Sequence, residues 1–416
     1  MGLETAANDS EKADPIRILF LMRDALPPFR PDVGALFGHY LPVEGIFSDL
    51  LGQRAPGHSG ALEWPAGCAS AAGVANKGML AEFLRPMRDA WGLLRHRFPF
   101  DVVQVRDKIR TGVVGCTYAR ICGKPFVYWI SFPFVEGFAL TARNRKKPNP
   151  LICIADMLRV SWSRRIFYGF ILKQADHVFV QSDAMLDWFS EKGFDVGKMT
   201  AVPMGVDTDF LRRESIVPSD NPRLEGRRVI VYLGGLGKAR RSDFLLDLAL
   251  AVRECEPDVL LVLAGDAVSP GERTWIREEI ELRSLNEHVL LTGWLAQEQA
   301  LSYVIRAEVG LSPVPRGELY DISSPTKLVE YLALGLPGVA NDIPDQRLVI
   351  EQSGAGICCP MEVDAFRDAV LRLLTDETLR QRCSELGPTW VRANRSYGLL
   401  ARRVAGSYRK LLGRCV

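Results

Sequence analysis

Histidine is scarce in this chain: five in 416 residues, at positions 39, 58, 96, 177 and 288. None is spaced like a pair of metal ligands, so a histidine-held metal centre is not expected. The nine cysteines contain no CxxC pair. Cys358 and Cys359 are adjacent, a poor geometry for a disulfide. The expectation is reduced structural thiols in a cytosolic protein. Charge of one sign is also lacking. A formal net charge of +2 argues against nucleic acid as the main partner, which usually needs a strong basic excess. No apolar run reaches the length of a membrane span. The first 14 residues are polar and have no signal-peptide core, and Ala6 breaks the myristoylation pattern, so they read as a disordered tail.

What is present is globular: 47% hydrophobic and 25% charged residues, with length for two ordinary domains. Apolar runs of strand length open at Ile16 (IRILFLM), Asp101 (DVVQV), Phe126 (FVYWISF) and His177 (HVFVQS). They resume as RVIVYLGG, VLLVLAGD and HVLLTGWL. Helical spacing lies between them, for instance over Met79 to Phe98, and a helix is expected to start near Pro31. Strands alternating with helices predict an α/β chain of two doubly wound parallel sheets. Residues 212–226, charged and proline-containing, read as the linker. The expected domains are therefore 15–211 and 227–389, with a basic helical segment at 390–416.

The chain is organised around RGELYDISSPTKLVEYLALGLPGVAND, from Arg316 to Asp342. Ser323 or Ser324 is expected to cap a helix whose first position is Pro325, and Gly335 with Pro337 ends it. Thr326, Lys327 and Glu330 fall three and four apart and share a face. Free N–H groups at a helix start beside a lysine suit a phosphate, and a carboxylate one turn on can accept from ribose hydroxyls. A second phosphate-site arrangement opens the later domain: in YLGGLGKARRSDFLL a strand runs into glycines and then a basic cluster before a helix. Gly235 and Gly237 begin a dinucleotide fingerprint, but Arg240 stands in its third place. Ala239 after Lys238 breaks a P-loop. No bound cofactor is expected.

SPTKLVEYLALGLPGVAND resembles the nucleotide-sugar motif of family-4 glycosyltransferases, and similar blocks recur over nearly all of the chain after residue 15. The resemblance implies the GT-B fold: two facing Rossmann-like domains, with the C-terminal helix crossing back onto the first. It implies that Glu330 holds the donor ribose and that Ser324, Pro325, Thr326 and Lys327 form the helix-start phosphate site. In the donor loop of these enzymes an Arg after the glycine and a Lys about six further on hold the diphosphate. Here Gly235 fills the Arg place and Arg241 the Lys place, leaving Arg240 or Lys238 to supply the missing charge. Gly34 sits where a glycine approaches the donor phosphates, and Gly293, Trp294 and Leu295 where the backbone passes the base. The block usually written PNGVD is Pro203 to Asp207 here, with Met204 in the Asn place.

Two departures stand out. The motif's first acidic residue is Ile322 here, with Asp321 beside it and Glu318 further up. The strand-end histidine facing the sugar is missing from VYWISFPF. Asp207 and Asp209 match a metal-binding Asp-x-Asp only weakly, and no metal is expected. The implied function is a retaining, metal-independent transfer of a sugar from a nucleoside-diphosphate sugar to a glycan or lipid-linked acceptor of cell-surface glycan synthesis. Asp321, Arg241 and Lys327 are the candidate catalytic groups. A nucleotide-sugar epimerase of the same fold, or a regulatory subunit that kept the fold, are the alternatives. Residues 141–173 carry eight basic residues among Leu151, Ile152, Ile154, Met157, Leu158, Trp162, Ile166, Phe167 and Phe170. They suggest docking of a cytoplasmic protein on the anionic inner face of a membrane, against burial of that apolar side in the domain.

Overall fold

The computed structural model describes residues 14–28, 30–75, 79–143 and 149–414. The expected tail, apart from Asp14, lies outside them, as do Arg145, Lys146 and Lys147. The chain divides into two compact units. Met1–Val180, Asp195–Thr200 and Leu400–Val416 form the first; Gln181–Phe194 and Ala201–Leu399 form the second.

In the first unit, β1 (Ile16–Leu26) leads to α1 (Pro31–Ala35), which continues through a π-helical turn (Leu36–Tyr40) into α2 (Leu41–Val43). Then come β2 (Ile46–Arg54), β3 (Ala69–Val74), α3 (Met79–Arg95), β4 (Val102–Arg106), α4 (Ile109–Ile121), β5 (Phe126–Ile130) and α5 (Phe134–Arg143). α6 (Pro150–Ile166) runs through a second π-helical turn (Phe167–Ile171) into α7 (Leu172–Gln174), and β6 (His177–Val180) follows. After α8 (Asp183–Glu191), which belongs to the second unit, β7 (Met199–Ala201) completes a seven-stranded sheet of order β3-β2-β1-β4-β5-β6-β7. The order reverses between β1 and β4, where Leu21 lies opposite Val105. β2 and β3 fall largely in a stretch without evident periodicity. β3, ASAAGV, is an edge strand exposed along much of its length, so it needs no large apolar residues.

The second unit carries β8 (Arg228–Leu233), α9 (Ser242–Cys255), β9 (Val259–Ala264), α10 (Pro270–Leu282), β10 (Val289–Leu291), α11 (Gln297–Arg306) and β11 (Val309–Ser312). It continues with α12 (Glu318–Asp321), α13 (Thr326–Ala333), β12 (Gly338–Asn341), α14 (Pro344–Ser353), β13 (Gly356–Cys359), α15 (Val363–Thr375) and α16 (Glu377–Asn394). Its six strands are parallel, in the order β10-β9-β8-β11-β12-β13, so the switch point lies between β8 and β11. Both faces are covered, and alternation along the strand distributes the core. Ile230 and Tyr232 pack with α9 and α15, while Val229 and Val231 pack with α11 and Tyr331.

The unit boundary differs from the expected one. Residues 212–226 belong to the second unit, where Leu224 and the preceding Leu211 are buried in its core. Arg213 donates to the carbonyls of Leu334 and Ile305 at 2.9 and 3.3 Å. Leu224 and the partly buried Ile216 anchor this charged segment to the core, which composition does not reveal. The last helix, α17 (Tyr397–Leu411), brings the chain back to the first unit at Leu400 rather than at 390. There Tyr408 donates from its buried hydroxyl to Gln104, and Arg409 donates to the carbonyl of Glu44 at 2.6 Å.

Candidate functional site

Lys327 and the Gly234–Gly235 loop, both singled out in the later domain, meet past the carboxyl end of β8, beside the β8/β11 switch point at which open parallel sheets bind ligands. β8 ends at Leu233 and is followed by Gly234 and Gly235, a 3₁₀ turn over Lys238–Arg240 and then α9. Close approach of the loops after β8 and β9 requires glycine: a Cβ on Gly265 would lie 2.0 Å from the carbonyl oxygen of Gly234.

α13 is placed beside this loop by Tyr331. Its buried hydroxyl accepts from the Leu233 N–H at 2.7 Å. One turn earlier, the Lys327 ammonium lies 4.5 Å over the Tyr232 ring and 3.4 Å from its hydroxyl, with its Cε 3.7 Å from where a Gly234 Cβ would be. Among the described residues no carboxylate lies within ion-pair distance of Lys327. Glu330 is half-buried, and its carboxyl has no hydrogen-bond partner among the described residues. Burial pushes its pKa up to about 7 against the opposing charge of Lys327. A lysine without an ion pair facing a glycine loop, with a carboxyl free of hydrogen bonds among the described residues a turn away, is complementary to an anion joined to a group bearing hydroxyl donors.

The helix start differs from the expected one. α13 begins at Thr326; Pro325 occupies the cap position and no side chain caps the helix. Ser324 is engaged elsewhere. Its hydroxyl donates to Asp345 at 2.8 Å and accepts from the Met204 N–H at 2.9 Å. Asp345 in turn pairs with Arg395 at 2.7 Å, both nearly fully buried. Ser323 donates to the Tyr320 carbonyl. The first-turn N–H groups are therefore left without a side-chain cap. The end of the helix is as read: Gly335, at φ +68°, follows the last turn.

The charges of the basic turn are not all brought to this point. Arg240 is exposed and unpaired among the described residues. Lys238 lies 5.0 Å over the Trp275 ring, on α10. Arg241, at φ +56°, donates from Nε to both oxygens of Asp243 at 3.2 and 2.9 Å. Gly235 has open space around it. Asp321 pairs with Arg316 at 2.9 Å and accepts from the Gly317 N–H at 3.2 Å, while Arg316 also pairs with Asp342 at 2.6 Å. Of the three candidate catalytic groups, only Lys327 is thus free of an ion pair. Ile322, in the place of the motif's first acidic residue, is buried, and its carbonyl accepts from Ser182 at 2.6 Å. Glu318 accepts from the Trp188 indole at 3.0 Å and pairs with Lys192 at 3.2 Å. Sequence reasoning missed Tyr232, Tyr331, Trp188 and Asp345; tyrosine or tryptophan inside an apolar run looks like core until its polar atom is placed.

A cavity of about 310 Å³ opens beside the glycine loop, lined in part by Leu236, Gly265, Asp266, Arg277 and Gly293. Asp266 is held below the usual carboxylate range by its hydrogen bonds from Arg273. Gly293 takes φ +73°, and Trp294 beside it is 79% exposed rather than part of the core; Leu295 is half-buried. In the first unit, Gly34 lies in the opening turn of α1, with open space where a Cβ would be. Asp207 accepts from the N–H groups of Asp209 and Phe210, both at 3.1 Å, and so caps a turn. Among the described residues no three His, Cys, Asp or Glu side chains form a metal-holding group.

Two doubly wound units and a phosphate-suited switch point define a protein of the GT-B class. Residues 227–376 match the glycosyl transferases group 1 family, and residues 49–205 match the glycosyl transferase 4-like domain. The chain belongs to the group 1 glycosyltransferases. It is 30% identical over 197 residues to phosphatidyl-myo-inositol mannosyltransferase of Mycobacterium leprae, covering 46% of this chain and 48% of that one. It is 26% identical over 189 residues to alpha-D-kanosaminyltransferase of Streptomyces kanamyceticus, covering 45% and 47%. The chain spans about half the length of the curated relatives it matches. Sucrose-phosphate synthase from Thermosynechococcus elongatus shares the fold at TM-score 0.73, 16% identity, and coverage of 96% and 99%.

Proposed function

We propose that this chain is a retaining glycosyltransferase that moves a sugar from a nucleoside diphosphate to an acceptor without a divalent metal. The observation that carries the reading is Lys327 set against Gly234 at the switch point of the second sheet, with the Glu330 carboxyl one turn further along α13 and within its field. As the glycosidic bond breaks, negative charge grows on the diphosphate and must meet donors already in place. Lys327, Arg240 and the uncapped first turn of α13 supply them. Glu330, as carboxylate, accepts from the ribose hydroxyls, and the base enters the cavity beside Gly293. Arg241 and Asp321 contribute only where their pairs with Asp243 and Arg316 open. Retention rests on the family resemblance. Two relatives are named for different sugars, mannosyl and kanosaminyl, so the sugar is left unassigned.

The acceptor in this reading is a lipid-linked or polysaccharide intermediate of cell-surface glycan synthesis, reached at the cytoplasmic face of a membrane. Among the described residues no helix is long and apolar enough to cross one. α6, however, buries none of its residues. Leu151, Ile154, Leu158 and Trp162, spaced as one helical stripe, are 50–74% exposed. Arg159, Arg164 and Arg165 lie among them. That combination suits the boundary between anionic headgroups and acyl chains.

Ile322 favours a second reading, a partner subunit that binds the donor without turnover. Thermal melting of the full chain with a panel of nucleoside-diphosphate sugars, followed by assay of donor hydrolysis, tests both. A true donor raises the melting point by linkage and is consumed. Stabilisation without consumption selects the non-catalytic reading, and no stabilisation by any nucleotide removes both.

A further inference from the structure

Two arginines of the first unit have no part in the donor chemistry. Arg23, two residues beyond the last β1 residue paired with β4, holds its guanidinium carbon 4.1 Å from the centre of the Phe134 ring. Arg159 of α6 lies at the same 4.1 Å over Phe138. Both side chains are exposed, and among the described residues neither has a carboxylate within ion-pair distance. Two other arginines of this unit are neutralised: Arg106 of β4 pairs with Asp32, and Arg120 of α4 pairs with Asp176.

The rings beneath the two arginines form a continuous ladder. Phe132 and Phe134 have centres 5.0 Å apart, and Phe134 and Phe138 6.4 Å. The ladder starts just past the carboxyl end of β5 and runs along α5, which packs on α6. It therefore extends from the ligand-binding edge of a parallel sheet, near the β1/β4 switch point, towards the helix that carries the exposed apolar stripe. A guanidinium stacked on an aromatic face is oriented in advance and weakly hydrated, while its edge N–H groups still point outward to donate. Two such groups without carboxylates are matched to a phosphate, which accepts the forked pair of N–H bonds that arginine presents.

We infer that this arginine–phenylalanine track binds the phosphate of a phosphate-linked lipid acceptor. The hydrocarbon runs along the α6 stripe, and the hydroxyl-bearing end is set at the carboxyl edge of the first sheet. The inference rests on the lipid-acceptor reading above and names the chemistry of that acceptor.

The test is calorimetric titration of the full chain with dodecyl phosphate below its micelle concentration. Dodecyl glucoside and inorganic phosphate serve as comparison ligands. Dodecyl phosphate should bind saturably and more tightly than either. Arg23→Gln and Arg159→Gln should each weaken it about tenfold, the scale of one charged hydrogen bond. Arg23→Lys should fall between, keeping charge but losing the stacked fork. Because both side chains are exposed, the variants' melting transitions should match that of the parent. Equal binding of the glucoside overturns the phosphate assignment, and equal binding of inorganic phosphate overturns the lipid. Glutamine variants that bind like the parent overturn the site. Cosedimentation with phosphatidylglycerol vesicles separates this from the membrane reading. If vesicles dock while the arginine variants bind normally, the track fails and docking stands. If dodecyl phosphate binds through both arginines but no vesicle docks, the track stands and docking fails.

Discussion

The ammonium of Lys327 stands 4.5 Å over the ring of Tyr232 and 3.4 Å from its hydroxyl, which itself donates to the Gly235 carbonyl at 3.3 Å. The buried ring fixes the lysine without neutralising it, since a π face attracts a cation but adds no countercharge. Lys327→Gln should weaken nucleoside diphosphate binding by ~1.5–3 kcal/mol, the scale of a charged hydrogen bond. Tyr232→Phe keeps the ring and should cost well under half of that. Calorimetric titration with the best nucleotide measures both. Equal losses in the two variants would mean that the hydroxyl, not the ring, holds the lysine.

Glu330 should make nucleotide binding depend on pH. Its folded pKa, about 7, lies above the ordinary 4.5, so the folded chain keeps a proton that the unfolded chain releases. Stability from this group therefore falls as pH rises from about 4.5 to 7 and is level above. Ribose hydroxyls donate to the ionised form, so nucleotide affinity should rise with pH through about 7. Glu330→Gln should flatten both trends and weaken binding by ~1–3 kcal/mol at pH 8. Affinity that falls with rising pH in the parent would contradict the ribose assignment.

Ser324 shows where local reading stops. SSPT before an apolar run reads as a capped helix, and the helix is there. The cap is not, because Ser324 is bound by Asp345, 21 residues on, whose other partner is Arg395. The two parallel sheets, the glycine loop and α13 were legible because parallel strands need continuous apolar runs and phosphates need open backbone. The ion pairs that occupy Arg241 and Asp321, and the exposure of Trp294, were not. Each depends on what the tertiary fold places nearby, and neither residue type nor spacing carries that.

The Asp345–Arg395 pair should be a stability determinant of the second unit. Asp345→Ala leaves a buried guanidinium uncompensated, which costs ~3–5 kcal/mol. Ser324→Ala removes the hydrogen bond to the Asp345 carboxylate and the one accepted from the Met204 N–H, but leaves the ion pair in place, and should cost less, ~1–3 kcal/mol. Denaturant titration ranks them. If Ser324→Ala proves the costlier, the hydroxyl has a role at the helix start that the network does not account for.

Transfer activity should survive excess chelator. Asp207 uses Oδ1 to cap its own turn, and Asp209 pairs with Arg212 at 3.3 Å. Activity that disappears on chelation and returns with Mg²⁺ or Mn²⁺ would bring both carboxylates back to the site.

Docking of α6 on anionic lipid should depend on both its apolar stripe and its arginines. Leu158 is 51% exposed and Trp162 64%, and neither contributes to a core. Leu158→Glu therefore adds charge at the interface without opening a cavity, so vesicle binding should drop while the melting point holds. Arg164→Gln and Arg165→Gln should each cost ~1 kcal/mol on anionic vesicles and nothing on neutral ones. Raising the salt should weaken the parent on anionic vesicles in the same way, because surface charges are screened beyond about 10 Å at 0.1 M. Cosedimentation across lipid charge and salt reads all of these together. If Leu158→Glu binds like the parent, the stripe does not enter the bilayer boundary. Parent binding that ignores lipid charge would remove the arginines from the account and leave a purely apolar attachment.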